Sequence, residues 1–138
     1  MLEQSERPWG KWEDLFHNPE LPYRVKKITV NPGGKLSLQY HHNRAEVWNV
    51  ISGIGSVFIS SQPFDEEADR AQSEIMSKEG HTISAICGDL IKIHKKHVHT
   101  VECPKSATEP FVFIEIQHGL STEEDIIRLE DIYGREGT

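Results

Sequence analysis

Five of the eight histidines lie in two short polar segments, which hold residue types that bind metal ions. The first segment, residues 39–46, reads QYHHNRAE, and the second, residues 94–99, reads HKKHVH. Imidazole nitrogens and carboxylate oxygens are common ligands of divalent transition metals such as zinc. The two segments together predict a divalent-metal site.

The strand register decides which histidine of the first segment is a ligand. Residues two positions apart on a strand point to the same face, so Gln39 and His41 share a face. Glu46 opens the next strand after a tight loop, and His99 comes from a distant strand. This register predicts a ligand set of Gln39, His41, Glu46 and His99. In the alternative register His42 is the ligand and His41 points away, because one regular strand cannot present both to the same face.

The elements that must position these side chains are mostly strands. Alternating apolar and β-branched residues between turn signals predict strands at 23–30, 35–42, 46–51, 55–60, 82–86, 89–93, 99–102 and 111–117. Residues 61–79 are polar and acidic and predict a long exposed loop with at most a short helical stretch. After Ser121 the sequence STEE resembles a capping box with Glu124, which predicts one or two helical turns before Tyr133. The pattern indicates one all-β domain over residues 1–138, an antiparallel sandwich or barrel.

Composition excludes several classes of function. A net charge of −7 argues against a nucleic-acid surface. No stretch approaches the roughly 20 apolar residues of a membrane span, and residues 1–12 lack the apolar core of a secretion signal. The two cysteines are too few for a disulfide framework, so the sequence predicts a cytoplasmic protein with reduced thiols. Neither GxxxxGK[ST] nor a helix-opening GxGxxG occurs, which disfavours nucleotide-handling enzymes of those two kinds.

Two matches connect the chain to known families. The spacing from Gly34 to Gly53 fits the general cupin motif if Tyr40 replaces its first histidine, and in that reading His42 is the ligand. More specifically, residues 36–53, LSLQYHHNRAEVWNVISG, resemble the signature of type II mannose-6-phosphate isomerases. The resemblance extends to RPWG at 7–10, YRVKKITVNPGG at 23–34 and DIIRLEDIYGR at 125–135, so it covers most of the chain except residues 61–87.

The resemblance implies a cupin double-stranded β-helix, or jelly-roll barrel, that interconverts mannose 6-phosphate and fructose 6-phosphate. It implies a divalent metal ion (Zn, Mn, Fe, Co or Ni) and favours the register with Gln39 and His41. It places catalytic roles on Glu46 and on the arginines Arg44, Arg128 and Arg135. The same three arginines, with Lys26 from its strand position, are the expected ligands of the phosphorylated sugar. Cupin analogy also implies a homodimer.

The chain departs from the family pattern at several positions. Val47 and Asn43 replace family histidines, residues 94–96 (HKK) stand where relatives carry a PxG turn, and the acidic segment 61–79 is an apparent insertion. Many relatives also carry a large nucleotidyltransferase domain, and 138 residues are too few for one, so that activity is not expected. These departures leave open a metal-dependent cupin enzyme of other chemistry, a dioxygenase or a sugar-phosphate epimerase. They also leave open a non-catalytic sugar-binding cupin.

Overall fold

The computed structural model describes residues 2–119 and 125–134 of the chain. These residues form two antiparallel sheets and one helix, α1 (Arg70–Lys78). In spatial order the first sheet contains β1 (Gln4–Arg7), β2 (Gly10–His17), β3 (Tyr23–Val30), β10 (Phe111–Gly119), β5 (Arg44–Ser52) and β8 (Leu90–Ile93). The second contains β11 (Ile126–Glu130), β4 (Leu38–His41), β9 (His97–Glu102), β6 (Gly55–Pro63) and β7 (Gly80–Ala85). The predicted all-β class is confirmed.

The inward face of the first sheet changes from apolar to polar along its strands. At one end Trp12, Ile28 and Phe113 lie in neighbouring register positions and are buried in the hydrophobic core. Lys26, two residues before Ile28 on β3, is buried as well, and so is Gln117, four residues after Phe113 on β10. Burial of apolar surface stabilises the first end. Burial of the polar groups at the other end costs desolvation free energy. Such groups are stable there when they interact with one another or with a ligand.

The structure differs from the sequence predictions of secondary structure in three places. Residues 126–130 form β11, paired with β4, instead of helical turns, because tertiary strand pairing outweighs a weak local helix signal. The segment 61–79, predicted as a long exposed loop with at most a short helical stretch, is mostly exposed but is less loop-like than predicted. It contains the end of β6 and the nine-residue helix α1, which Asp69 caps through the backbone N–H of Gln72. His97, which precedes the predicted strand at 99–102, begins β9 and is half-buried. Ser121 and Glu124 lie outside the described residues.

The described part of the chain contains no helix that is long and apolar enough to cross a membrane. The three tryptophans are buried at 1–7% exposure. Trp9 lies between β1 and β2, so the RPWG segment packs against this chain's own core.

The turn that leads into β9 contains Lys96, the one non-glycine residue with a positive φ among those described, at 65°. Its backbone N–H donates to the carbonyl oxygen of His41 at 2.8 Å, so the turn is attached to β4. Lysine in the left-handed region pays a steric cost that glycine avoids. We expect Lys96→Gly to raise the free energy of unfolding by about 0.5–1 kcal/mol, measured by urea denaturation.

Lys95→Gly is the matched control for this substitution. Lys95 is the preceding exposed residue of the same turn and has no positive φ, so glycine there brings only added freedom to the unfolded chain. We expect Lys95→Gly to be neutral or destabilising. Equal stability of the two variants would show that the conformation of Lys96 carries no strain.

Candidate metal centre

Three buried side chains from three strands converge between the two sheets. His41 is on β4, Glu46 on β5 and His99 on β9, and one ligand atom of each lies within 4.8 Å of the others. The Nε2 atom of His41 is 3.3 Å from Glu46 Oε2, and the Nε2 atom of His99 is 3.9 Å from Glu46 Oε1. Two imidazoles and one carboxylate in this arrangement can bind a divalent metal ion.

Backbone carbonyl groups hold both imidazoles in the orientation that metal binding requires. The Nδ1 atom of His99 lies 2.9 Å from the carbonyl oxygen of His97, and Nδ1 of His41 lies 3.3 Å from that of Asp125. A carbonyl oxygen only accepts, so each Nδ1 carries the proton and each Nε2 keeps its lone pair. The Nε2 atom of His99 is buried without a hydrogen-bond partner, which is the condition of a ligand atom.

Electrostatics keep the three groups in the protonation states that bind a metal. Burial lowers the pKa of His99, and it lowers the pKa of His41 well below the usual value, so both rings are neutral. Burial by itself raises the pKa of Glu46, but the Arg44 guanidinium and the hydrogen bond from the Trp48 indole outweigh it and hold the pKa below its usual value. Glu46 is therefore ionised, and neutral imidazole with ionised carboxylate is the ligand state of these side chains.

Glu46 is also fixed by two donors from its own strand. Arg44 Nε donates to Oε2 at 2.9 Å, and the Trp48 indole N–H donates to Oε1 at 2.9 Å. Hydrogen bonds to a ligating carboxylate are the usual outer support of a metal site. Arg44 Nη2 lies 3.4 Å from Nε2 of His41, which places this cation at the edge of the three-residue group.

The structure places His41, and not His42, with Glu46 and His99. His42 follows β4 and lies on the side of Tyr40, where its Nδ1 atom is 3.2 Å from Glu66 Oε1 and its ring is inclined at 67° to the Tyr40 ring. Gln39 pairs directly with His99 across β4 and β9, and its Oε1 accepts a hydrogen bond from the Ser37 hydroxyl at 2.7 Å. This is the side of the sheet that holds the three-residue group.

The departures from the family pattern lie outside the three-residue group. Val47 alternates with the inward-facing Glu46 and Trp48 and is half-buried on the other side of β5. Asn43 is exposed in the turn between β4 and β5, where its backbone N–H donates to Asp125 Oδ2 at 3.0 Å. Asp125 also accepts from the backbone N–H of His42, so one carboxylate positions this whole turn. Asp125 is not among the site residues predicted from the sequence.

A cavity adjoins the three-residue group and is lined by most of the predicted sugar-binding residues. Lys26, Arg44, Arg128 and Gln39 line it, together with Trp9 and Trp12. Lys26 is buried, with its ammonium group 3.8 Å from the centre of the Trp12 ring, a cation–π contact. Arg128 is a half-buried residue of β11. Arg135 lies outside the described residues.

Two further residues of this cavity, Glu115 and Gln117, were missed by the sequence analysis. Both are buried on β10, and the Gln117 amide donates a hydrogen bond to Glu115 Oε1. Burial and the nearby Glu46 carboxylate raise the pKa of Glu115 to about 7, against the opposing charges of Arg44 and Lys26. The signal was present in the run FVFIEIQ, where Glu115 and Gln117 share the inward face with Phe111 and Phe113.

Curated relatives match nearly the whole chain. A mannose-1-phosphate guanylyltransferase of Escherichia coli is 34% identical over 130 residues, which are 94% of this chain and 23% of that protein. The alginate biosynthesis protein AlgA of Pseudomonas aeruginosa is 35% identical over 94% of this chain and 22% of its own length. The chain therefore spans less than a quarter of the length of these curated relatives.

Solved structures establish the fold. The capsular polysaccharide assembling protein CapF of Staphylococcus aureus aligns with 95% of this chain and 35% of its own at a TM-score of 0.66 and 17% identity. An Acinetobacter L-ribose isomerase aligns with 78% of this chain and 58% of its own at 0.65 and 19% identity. The cupin double-stranded β-helix is confirmed. The family model described as mannose-6-phosphate isomerase C-terminal matches residues 1–131, and the chain belongs to that family.

Proposed function

We propose that the chain is a metal-dependent aldose–ketose isomerase that interconverts mannose 6-phosphate and fructose 6-phosphate. The observation that carries the proposal is that a candidate metal site and a cavity lined by cationic side chains lie side by side between the two sheets. Neutral imidazoles and an ionised carboxylate lie beside a cavity lined by Lys26, Arg44 and Arg128. Membership of the mannose-6-phosphate isomerase C-terminal family supports the choice of substrate.

The proposed metal ligands are Gln39, His41, Glu46 and His99. The lone pair of the buried His99 Nε2 and the ionised Glu46 fit a divalent ion, and nitrogen and oxygen ligands suit Zn, Mn, Fe, Co or Ni. A bound ion supplies Lewis-acid polarisation of the sugar oxygens. The protein holds these ligands in place in two ways. Backbone carbonyl groups accept hydrogen bonds from the imidazole rings, and two side chains donate to Glu46.

The cationic residues have separable proposed roles. Arg44 is attached to Glu46 and lies beside His41, so it is placed to stabilise negative charge that develops on the sugar oxygens. Lys26 and Arg128 line other parts of the same cavity, and both suit the phosphate group. Arg135 stays a family-based proposal for the same phosphate.

The test is a coupled assay for fructose 6-phosphate formation, before and after chelation. We expect metal-loaded protein to isomerise mannose 6-phosphate, to lose activity with a chelator and to regain it when a divalent metal is returned. Elemental analysis of the same samples checks the metal content. Metal-loaded protein without turnover would contradict the proposal, and oxygen uptake or epimer formation would then identify the other chemistries.

We also propose a homodimer, from cupin analogy, and a cytoplasmic location, from the composition of the chain. Analytical ultracentrifugation of the purified protein tests the oligomeric state.

A further inference from the structure

We infer that Glu115 is the general base that moves the proton between C1 and C2 of the sugar. The inference rests on the proposed isomerase function and assigns the one group which that function leaves open. An aldose–ketose isomerase needs a base beside the reacting carbons, separate from the groups that hold the oxygens. Glu46 and His99 are proposed as metal ligands, so neither is available for this task.

Strand register places Glu115 next to the metal group. Across β10 and β5, Glu115 lies directly opposite Trp48, and Gln117 lies directly opposite Glu46. Directly opposite Cβ atoms are about 5 Å apart and diagonal neighbours are about 7–8 Å apart. Glu115 is thus one diagonal step from Glu46 on the same inward face. A sugar carbon next to oxygens held near Glu46 is within reach of this carboxylate.

Glu115 also opens onto the proposed substrate cavity. It lines the cavity with Arg44 and Lys26, and Lys26 is its direct partner on β3. Its carboxylate is buried, and among the described residues it is the one acidic side chain in the cavity lining. One oxygen is held by the Gln117 amide, which fixes the direction of the carboxylate. The wall therefore presents one oriented proton acceptor between two cations.

The proton transfers balance with no additional reactant. Glu115 takes the C2 proton of the open-chain aldose, the C2–H electron pair becomes the C1–C2 double bond, and the aldehyde π pair moves to O1. The O2 proton passes to O1 across the resulting cis-enediolate. Glu115 then returns its proton to C1 while the C2–O2 double bond forms, and the product is the ketose. Arg44 is the cation placed to stabilise the negative charge on oxygen during these steps.

The test is Glu115→Gln in the full chain, assayed with mannose 6-phosphate deuterated at C2. Glutamine keeps the size of the side chain and an oxygen that accepts from Gln117, so the site's shape is retained. We expect kcat to fall by about 10²–10⁴-fold, and deuterium release to water or transfer to C1 to fall equally. Metal content and the calorimetric affinity for mannose 6-phosphate should be unchanged. Glu102→Gln, an exposed carboxyl on β9, is the control and should behave as wild type.

Each outcome is decisive. Isomerisation by Glu115→Gln at a rate near wild type would overturn the role of Glu115 and leave the isomerase standing. Loss of the metal in this variant would also overturn it, because Glu115 would then act through the metal site. If the wild-type protein neither isomerises the sugar nor exchanges its C2 deuteron, the proposed function fails, and the role of Glu115 fails with it. Should the glutamine variant fold poorly, Glu115→Asp provides the same comparison of turnover with metal content.

Discussion

Replacing Glu46 by glutamine is expected to abolish isomerase activity and to lower metal affinity by more than about 100-fold. The carboxylate receives Trp48 Nε1 on one oxygen and Arg44 Nε on the other. A glutamine amide must turn its NH₂ group toward one of these donors, and it also lacks the negative charge that a divalent ion needs. Metal titration followed by calorimetry, and the coupled assay at saturating metal, measure the two effects.

His99→Ala tests the same site from the opposite sheet, and its matched control is on the same strand. We expect His99→Ala to lose metal and activity, because it removes a buried Nε2 that has no hydrogen-bond partner. His97→Ala removes a half-buried imidazole two residues earlier but leaves the backbone carbonyl that holds His99. His97→Ala should therefore retain metal. Equal metal affinity of Glu46→Gln, His99→Ala and wild type would show that the ion is bound elsewhere.

Strands with a clear alternation could be predicted from the sequence because one face of each is buried. The predicted strand at residues 23–30 coincides with β3, where buried and half-buried residues alternate along Arg24–Val30. The same period places Gln39 and His41 on one face of β4 and Leu38 and Tyr40 on the other, where the latter pair joins a small second core. Burial of one face fixes such a register, since a slip of one residue would expose the apolar set.

The remaining elements depend on contacts that a local pattern does not contain. The strand β1 reads QSER and has no buried residue, so only its pairing with β2 identifies it as a strand. The segment Ile126–Glu130 is half-buried on both faces, which removes the alternation that identifies a strand. The site follows the same rule. The histidines and the glutamate of the metal site could be predicted from the sequence. The position of Glu115 beside that site follows only from its pairing with β3 and β5.

Trp48 connects the apolar core with the metal centre, and its removal should damage both. Its side chain is 1% exposed and stacks on Phe113 with ring centres 4.3 Å apart. Its ring also lies nearly perpendicular to the His99 ring, with ring centres 5.9 Å apart, and its N–H donates to Glu46 Oε1. We expect Trp48→Ala to lower the free energy of unfolding by about 3–5 kcal/mol, through lost packing and the cavity that remains. Chemical denaturation of the metal-free protein measures this loss.

Trp48→Phe separates the two roles of this residue. Phenylalanine keeps an aromatic ring against Phe113 but removes the donor to Glu46 Oε1, so packing is largely retained. We expect most of the stability of the metal-free protein to remain, while metal affinity falls by about 10–100-fold, as for other supports of a metal ligand. If Trp48→Phe binds metal as tightly as wild type, the indole is only a packing residue. If Trp48→Ala unfolds at the wild-type denaturant concentration, the packing of Trp48 does not stabilise the core.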